Sequence, residues 1–415
     1  MSHSDQQAMQ HQMFRIRFTE LNEIFAVMSL RSFVTGMIGI FVPIYMYTLG
    51  FTLSDIFLLQ IFMFSAEFAF EYIAAQIISK FGPKHAIALS MPFLIAHFWM
   101  LSTIKTYGWP IWLVAVMGGI SLALYWEGYN YDFSRSKTKG GVTKDISKLY
   151  IMLAVLGAIA PFVGGSIATL YGFGALYAVV LLLLLLVFLP LIWFKEKHIA
   201  RNFKLSRINN LGAIAGDLVS YGGSGMEASV AITVWPLFVF AIVGTAQKVG
   251  LITSFALVLT ILVTYIVGKR VNNHNRHRYI QAGGLADGII YMLVIFVDSF
   301  GQLLSLNFAR SLVGSLRSAP FISEYYLHAD EQSRAEYIYT MESAIDLFRL
   351  VMFGILYLLT MILPDSGVLV VGLVFGATGS WMTGLMPRAK CELPYCSANR
   401  TIKFIPKLRP KNATD

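Results

Sequence analysis

"LYIMLAVLGAIAPFVGGSIATLYGF" occupies residues 149–173 and carries no charged side chain. As one helix it is about 37 Å long at 1.5 Å per residue, more than a hydrocarbon core of roughly 30 Å. The run reads as a membrane span. Its inner piece, "GAIAPFVGGSI" from Gly157 to Ile167, crowds Gly157, Pro161, Gly164 and Gly165 together, residues that form helices poorly in water. In a membrane the crowding has a use. Gly157, Pro161, Gly164 and Ala168 follow spacings of four, three and four, so they fall on one stripe of the helix. Small residues there let another helix approach closely, and neighbours re-satisfy the backbone that Pro161 disturbs.

The rest of the chain repeats this pattern. Of 415 residues 56% are hydrophobic and 13% charged, about half the roughly 25% charge of a soluble domain. Twelve apolar blocks are read as spans: 22–48, 54–78, 85–104, 110–133, 149–171, 174–194, 212–242, 248–268, 280–298, 302–326, 335–362 and 367–386. The expected fold is therefore all-α and polytopic, with twelve transmembrane helices. No cleaved signal peptide is evident, so the first span would act as the insertion signal. With the N-terminus placed inside, inward segments hold 26 Lys and Arg, while outward loops hold Lys105 and Lys248 alone. That asymmetry predicts two cytoplasmic termini in an inner cell membrane. It also accounts for the net charge of +9 without a nucleic-acid partner.

A basic linker, 195–210, divides the chain near its middle. It separates an N-terminal six-helix bundle, 1–194, from a second bundle, 211–387, and a basic tail follows over 388–415. "AAQIISKFGPKHAI" at 74–87 and "VGKRVNNHNRHRYI" at 267–280 stand 193 residues apart, close to half the chain. Both resemble the cytoplasmic loop motif of the major facilitator superfamily, G-x-x-x-D-[RK]-x-G-[RK]-[RK]-[RK]. In the first copy Lys80, Gly82 and Lys84 match, with Ser79 in place of the aspartate. In the second Gly268, Arg276 and Arg278 match, with Asn272 in that place. The family's carboxylate anchors a latch between the halves, and neither copy has one. The Ala160 to Gly165 stretch resembles the proline–glycine signature of span five in proton-coupled antiporters. The resemblance implies two pseudo-symmetric six-helix bundles that alternate access to a central site. It also implies that spans one, four, seven and ten line that site, and that span eight faces the small-residue stripe of span five.

Charge within a span costs on the order of 2.5–3.5 kcal/mol at a helix centre, so it needs a partner or a watery cavity. Arg31 lies about 13 Å into span one and Glu127 about 12 Å into span four, which makes them a candidate pair. Tyr125, Trp126 and Tyr129 flank Glu127, amphipathic rings suited to an organic solute. Glu227 in span seven follows Gly222, Gly223 and Gly225 and precedes Pro236. It is a candidate proton carrier at an unwound turn, and Arg310 and Arg317, two turns apart in span ten, are its candidate partners. Glu67 and Glu71 share a face of span two, either as a second proton site or as a bridge to Arg349. Glu342, Asp346 and Arg349 read as a self-contained stripe on span eleven.

No P-loop, H-E-x-x-H or G-x-S-x-G is present, so the sequence encodes no ATP motor and offers no motif for an enzyme. Cys391 and Cys396 alone make neither a disulfide framework nor a zinc site. No cofactor or metal is expected, and the protein is read as a monomer in the bilayer. The expected function is secondary transport of a small organic solute, with export in exchange for protons favoured. Proton-coupled uptake of a nutrient or anion is the rival direction. A transporter-like receptor or assembly partner without turnover is the alternative of another class.

Overall fold

The computed structural model describes residues 29–136, 142–192, 203–204, 214–271 and 275–389. Twelve spanning helices are found among them: α1 Ser29–Thr48, α2 Leu53–Phe81, α3 Pro83–Ser102, α4 Ile111–Ser136, α5 142–171, α6 173–192, α7 Ala215–Val243, α8 Ala246–Arg270, α9 Arg276–Val294, α10 Phe300–Glu331, α11 Arg334–Leu359 and α12 Asp365–Thr383. The order and number match the sequence reading. The largest differences in length are at α2 and α10, which run three and five residues further toward the basic end. Most of the linker and tail lies outside the described residues.

Local chemistry sets the boundaries. At α2, the Thr52 side chain accepts from the Asp55 backbone while Asp55 accepts from the Thr52 backbone, a reciprocal cap. The helix stops at Gly82, whose φ of +102° few other residues adopt, and Pro83 then starts α3 without a donor to lose. Gly172, at φ +83°, is the whole break between α5 and α6. Thr245 and Ser299 cap α8 and α10 with their hydroxyls.

Eight segments pass for membrane spans on length and composition alone, and one of them, Gly157–Phe188, covers both α5 and α6. The three helices that do not pass are α9, α10 and α11. These carry Asp287, Arg310, Arg317, Glu342, Asp346 and Arg349 within their lengths, so the most polar spans are those that build the interior.

Packing repeats with the sequence. α2 and α3 pack on α4 in the first half, as α8 and α9 pack on α10 in the second. Across the halves α5 lies along α8 and α2 along α11. The result is two related six-helix bundles, joined at both ends. At the short-loop end Gln60 donates to Thr233 at 2.9 Å, the Gln247 backbone to Thr169 at 3.1 Å and the Phe162 backbone to Ser254 at 2.9 Å. At the basic end Phe133 meets Tyr326 with ring centroids 4.9 Å apart, and Phe203 of the linker sits against both Tyr72 and Tyr339.

Two local expectations change. The glycines of α7 stay helical. A Cβ on Gly222 would fall 2.4 Å from Phe348, and one on Gly225 2.6 Å from Ile345, so they let α11 approach closely. The irregular turn lies further on, a π segment over Val230–Val234 just before Pro236. Proline has no N–H and crowds the carbonyl four residues back, which widens the preceding turn. The stripe on α5 also divides. Gly165 would meet the Ala246 carbonyl at 2.7 Å, and Gly250 of α8 the Pro161 carbonyl at 2.3 Å. Gly164 instead faces α1, where a Cβ would lie 1.9 Å from the Met37 carbonyl, while Gly157 has open space around it. Residues 161 and 165 share a face, whereas 164 is about 100° around from 165. The Ser254 hydroxyl accepts from Phe162, next to the proline, so a neighbouring helix serves the disturbed turn.

Candidate functional site

Three groups of polar side chains occupy the interior. The first belongs to the second half. Glu227 of α7 lies 3.1 Å from Arg317 Nη2 and 3.5 Å from Arg310 Nη2. Asp287 of α9 lies 3.5 Å from Arg317 and 3.9 Å from Arg310. Tyr291 donates to Glu227 at 3.0 Å, Ser380 to Asp287 at 2.7 Å, and Arg317 to Thr383 at 2.9 Å. The Arg310 guanidinium also lies over the rings of Trp235 and Tyr291, at 4.9 and 4.5 Å. Two carboxylates thus face two guanidiniums, and the charge balances. The structure brings together Glu227, Arg310 and Arg317 as the sequence placed them. It adds Asp287 and Tyr291, one turn apart on α9, which sequence reasoning had not included. Their i, i+4 spacing was the available signal.

The second group lies where α2 and α4 of one half meet α11 of the other. Arg349 Nη1 is 3.5 Å from Glu67 and 3.1 Å from Asp346. The carboxyls of Glu67 and Glu71 both lie within hydrogen-bonding reach of Asp346. Ser343 donates to Glu71, and Asn130 of α4 donates to Glu342 at 2.7 Å. Tyr326 donates to Asn130 at 2.9 Å and Tyr325 reaches Glu342 at 3.4 Å. Glu127 points into this group, with Glu342 and Asp346 as its charged neighbours. All five carboxyls are buried, and Arg349 is the arginine that ion-pairs among them. The α11 stripe is therefore not self-contained: Arg349 spans the two halves because α2 packs along α11.

The third group is Arg31 with its aromatics. Arg31 and Glu127 do not form an ion pair. The guanidinium instead lies 3.2 Å from the centre of the Tyr125 ring. Tyr125, Trp126 and Tyr129 form one cluster, with centroids 5.2 to 6.2 Å apart. Tyr125 and Tyr129 are buried, while Trp126 is exposed. Residues 125 and 127 are about 200° apart around α4, so the helix shows its tyrosine to Arg31 and its carboxyl to α11.

Solved structures share this architecture. The structure superposes on the Escherichia coli fucose:proton symporter with a TM-score of 0.64 at 12% identity, over 89% of this chain and 97% of that one. The same symporter in its outward conformation gives 0.58 at 14% identity, over 87% and 97%, and its solvers describe it as a major facilitator superfamily transporter. A human organic anion transporter gives 0.59 at 11% identity, over 88% and 99%.

The chain has the major facilitator fold.

The sequence matches no protein-family model and no curated protein. Within the major facilitator fold the two loop motifs sit at equivalent turns. In the first, Ser79 and Lys84 are buried, Lys80 is exposed, and Gly82 makes the turn. In the second, Arg276 reaches Glu324 of α10 at 3.5 Å, and the Ala389 backbone donates to the same carboxylate at 3.2 Å. Gly268 lies within α8, Arg278 is exposed at the start of α9, and Asn272 falls outside the described residues. Neither motif carries an aspartate of its own, and in the second copy the carboxylate that meets the loop base comes from α10.

Proposed function

We propose that the protein is a secondary active transporter of a small organic solute, working by alternating access between its two halves and driven by protons. The observation that carries this reading is the carboxyl group at the junction of α2, α4 and α11. Five buried carboxyls there face one arginine. Carboxylates this close cannot all ionise in a low-dielectric interior, and two carboxyls within hydrogen-bonding reach share a proton. Ionisable groups inside a membrane mark relays or ion pathways. This group also lies across the surface that must part when the halves rock, so its proton load and the opening of the halves are coupled. Export in exchange for protons remains the favoured direction, on the Pro161 to Gly165 signature. Uptake has one observation of its own, the arginine-bearing interior, which suits an anion moving inward with protons.

The test is flux in proteoliposomes under an imposed pH gradient, with a panel of labelled organic solutes. At least one solute is expected to move uphill when the gradient is applied and to stop when it is collapsed. The sign of the accompanying proton movement gives the direction. Flux of every bound solute that ignores the gradient would overturn the reading.

A further inference from the structure

Four arginines lie within the spans, and three of them are neutralised. Arg310 and Arg317 share Glu227 and Asp287, and Arg349 pairs with Glu67 and Asp346. Arg31 is different. It is 5% exposed, no carboxylate lies within 4 Å of it among the described residues, and its Nε has no hydrogen-bond partner. Tyr125 is its one electrostatic neighbour. The face of a tyrosine ring attracts a cation, but it cannot receive the five N–H donors of a guanidinium. The nearest carboxyl in sequence, Glu127, is turned into the acidic group at α11. A buried cation left in this state calls for an anion from outside the chain.

We infer that Arg31 is the receptor for the anionic group of the transported solute, with Tyr125 and Tyr129 as the walls beside it, so that the substrate class is small organic anions, carboxylates foremost. A planar guanidinium matches a carboxylate with two parallel N–H···O bonds. Tyr125 already occupies one face of the guanidinium, which leaves its edge for those bonds. The stacked Tyr125 and Tyr129 rings, 7° from parallel with centroids 6.2 Å apart, hold Tyr125 in place and present apolar surface to the remainder of the solute. Division of labour follows: the α1–α4 side takes the anion, and the carboxyls at the α2–α4–α11 junction take the proton. An anion would enter with its charge neutralised by Arg31, while the proton is carried elsewhere.

This inference rests on the transporter reading but is tested apart from it. Binding to the purified full-length protein is measured with carboxylates running from acetate to benzoate, each beside its neutral amide, and with benzylamine as the cation. The carboxylate is expected to bind about tenfold or more tightly than its amide, a difference of one hydrogen-bonded charge. Arg31→Gln should erase that preference, and Arg31→Lys should keep part of it, since it retains the charge and loses the fork. Melting temperatures report whether each variant is folded. If Arg31→Gln does not fold, Arg31→Lys and Tyr125→Phe decide: an unchanged carboxylate preference in both overturns the assignment. So does tighter binding of amides or benzylamine, or the absence of carboxylate binding altogether. A dependence on Arg31 seen only with phosphatidylglycerol vesicles would assign the cation to lipid and overturn it too. Proton-driven flux of a neutral or cationic solute that survives Arg31→Gln would sink this inference and leave the transporter standing. Selective carboxylate binding without gradient-driven flux would do the reverse.

Discussion

The two charged networks of the interior differ in their arithmetic. The one between α7, α9 and α10 has two carboxylates and two guanidiniums, and every charge has a partner within one half. The one between α2, α4 and α11 has five carboxyls and a single guanidinium, and its members come from both halves. A balanced network gains nothing from taking up or releasing a proton, so it holds structure together. An acid-rich one is least strained when it carries protons, so it can change state. The position matches the role: the balanced network sits inside a rigid bundle, and the unbalanced one lies across the surface between bundles.

The largest effect should come from breaking the balance. Arg317→Ala leaves two carboxylates to share Arg310, and removing one partner from a buried ion pair costs about 3–5 kcal/mol. A marked fall in melting temperature of the purified protein is expected. An unchanged one would mean that the α7–α9–α10 charges are not paired in the membrane. Asp346→Asn should act oppositely. It relieves like-charge crowding beside Glu67 and Glu71, so the melting temperature should hold or rise. Gradient-driven flux should fall about thirtyfold, roughly 2 kcal/mol of barrier. Loss of stability without loss of coupling would exchange the roles of the two networks. Smaller again is Tyr291→Phe, which removes one hydrogen bond to Glu227, worth about 1.5 kcal/mol for a charged acceptor. The matching Tyr325→Phe, with its longer contact to Glu342, should cost under about 1 kcal/mol. Equal losses from the two would show that the networks are alike in rigidity.

Much of this was readable in the chain. Spans of apolar residues, the two basic loops 193 residues apart and the charged inventory led to the fold and to the group of Glu227, Arg310 and Arg317. What the sequence could not supply was angle. Counting residues from a span's end gives depth, and by depth Arg31 and Glu127 are neighbours. Direction around the helix depends on how α4 is rotated against α1 and α11, and two residues turn the side chain most of the way to the opposite face. The same limit explains Gly164 and Gly165, adjacent in sequence but packed against different helices. Asp287 was visible as an in-span charge, yet nothing in the sequence says that α9 turns it toward α10.

The π segment of α7 has a consequence for alignment. Glu227 and Trp235 both touch Arg310, one through its carboxylate and the other through its ring face. They are eight residues apart, and in a regular α-helix eight steps of about 100° would leave them roughly 80° out of phase. A π turn absorbs one extra residue, so the interval counts as seven, which is roughly 20° short of two full turns. The bulge thus acts as a phase corrector, setting the acid and the aromatic in line along one face. Deleting one residue between Val230 and Val234 would make the helix more regular and pull those two contacts out of register with Arg310.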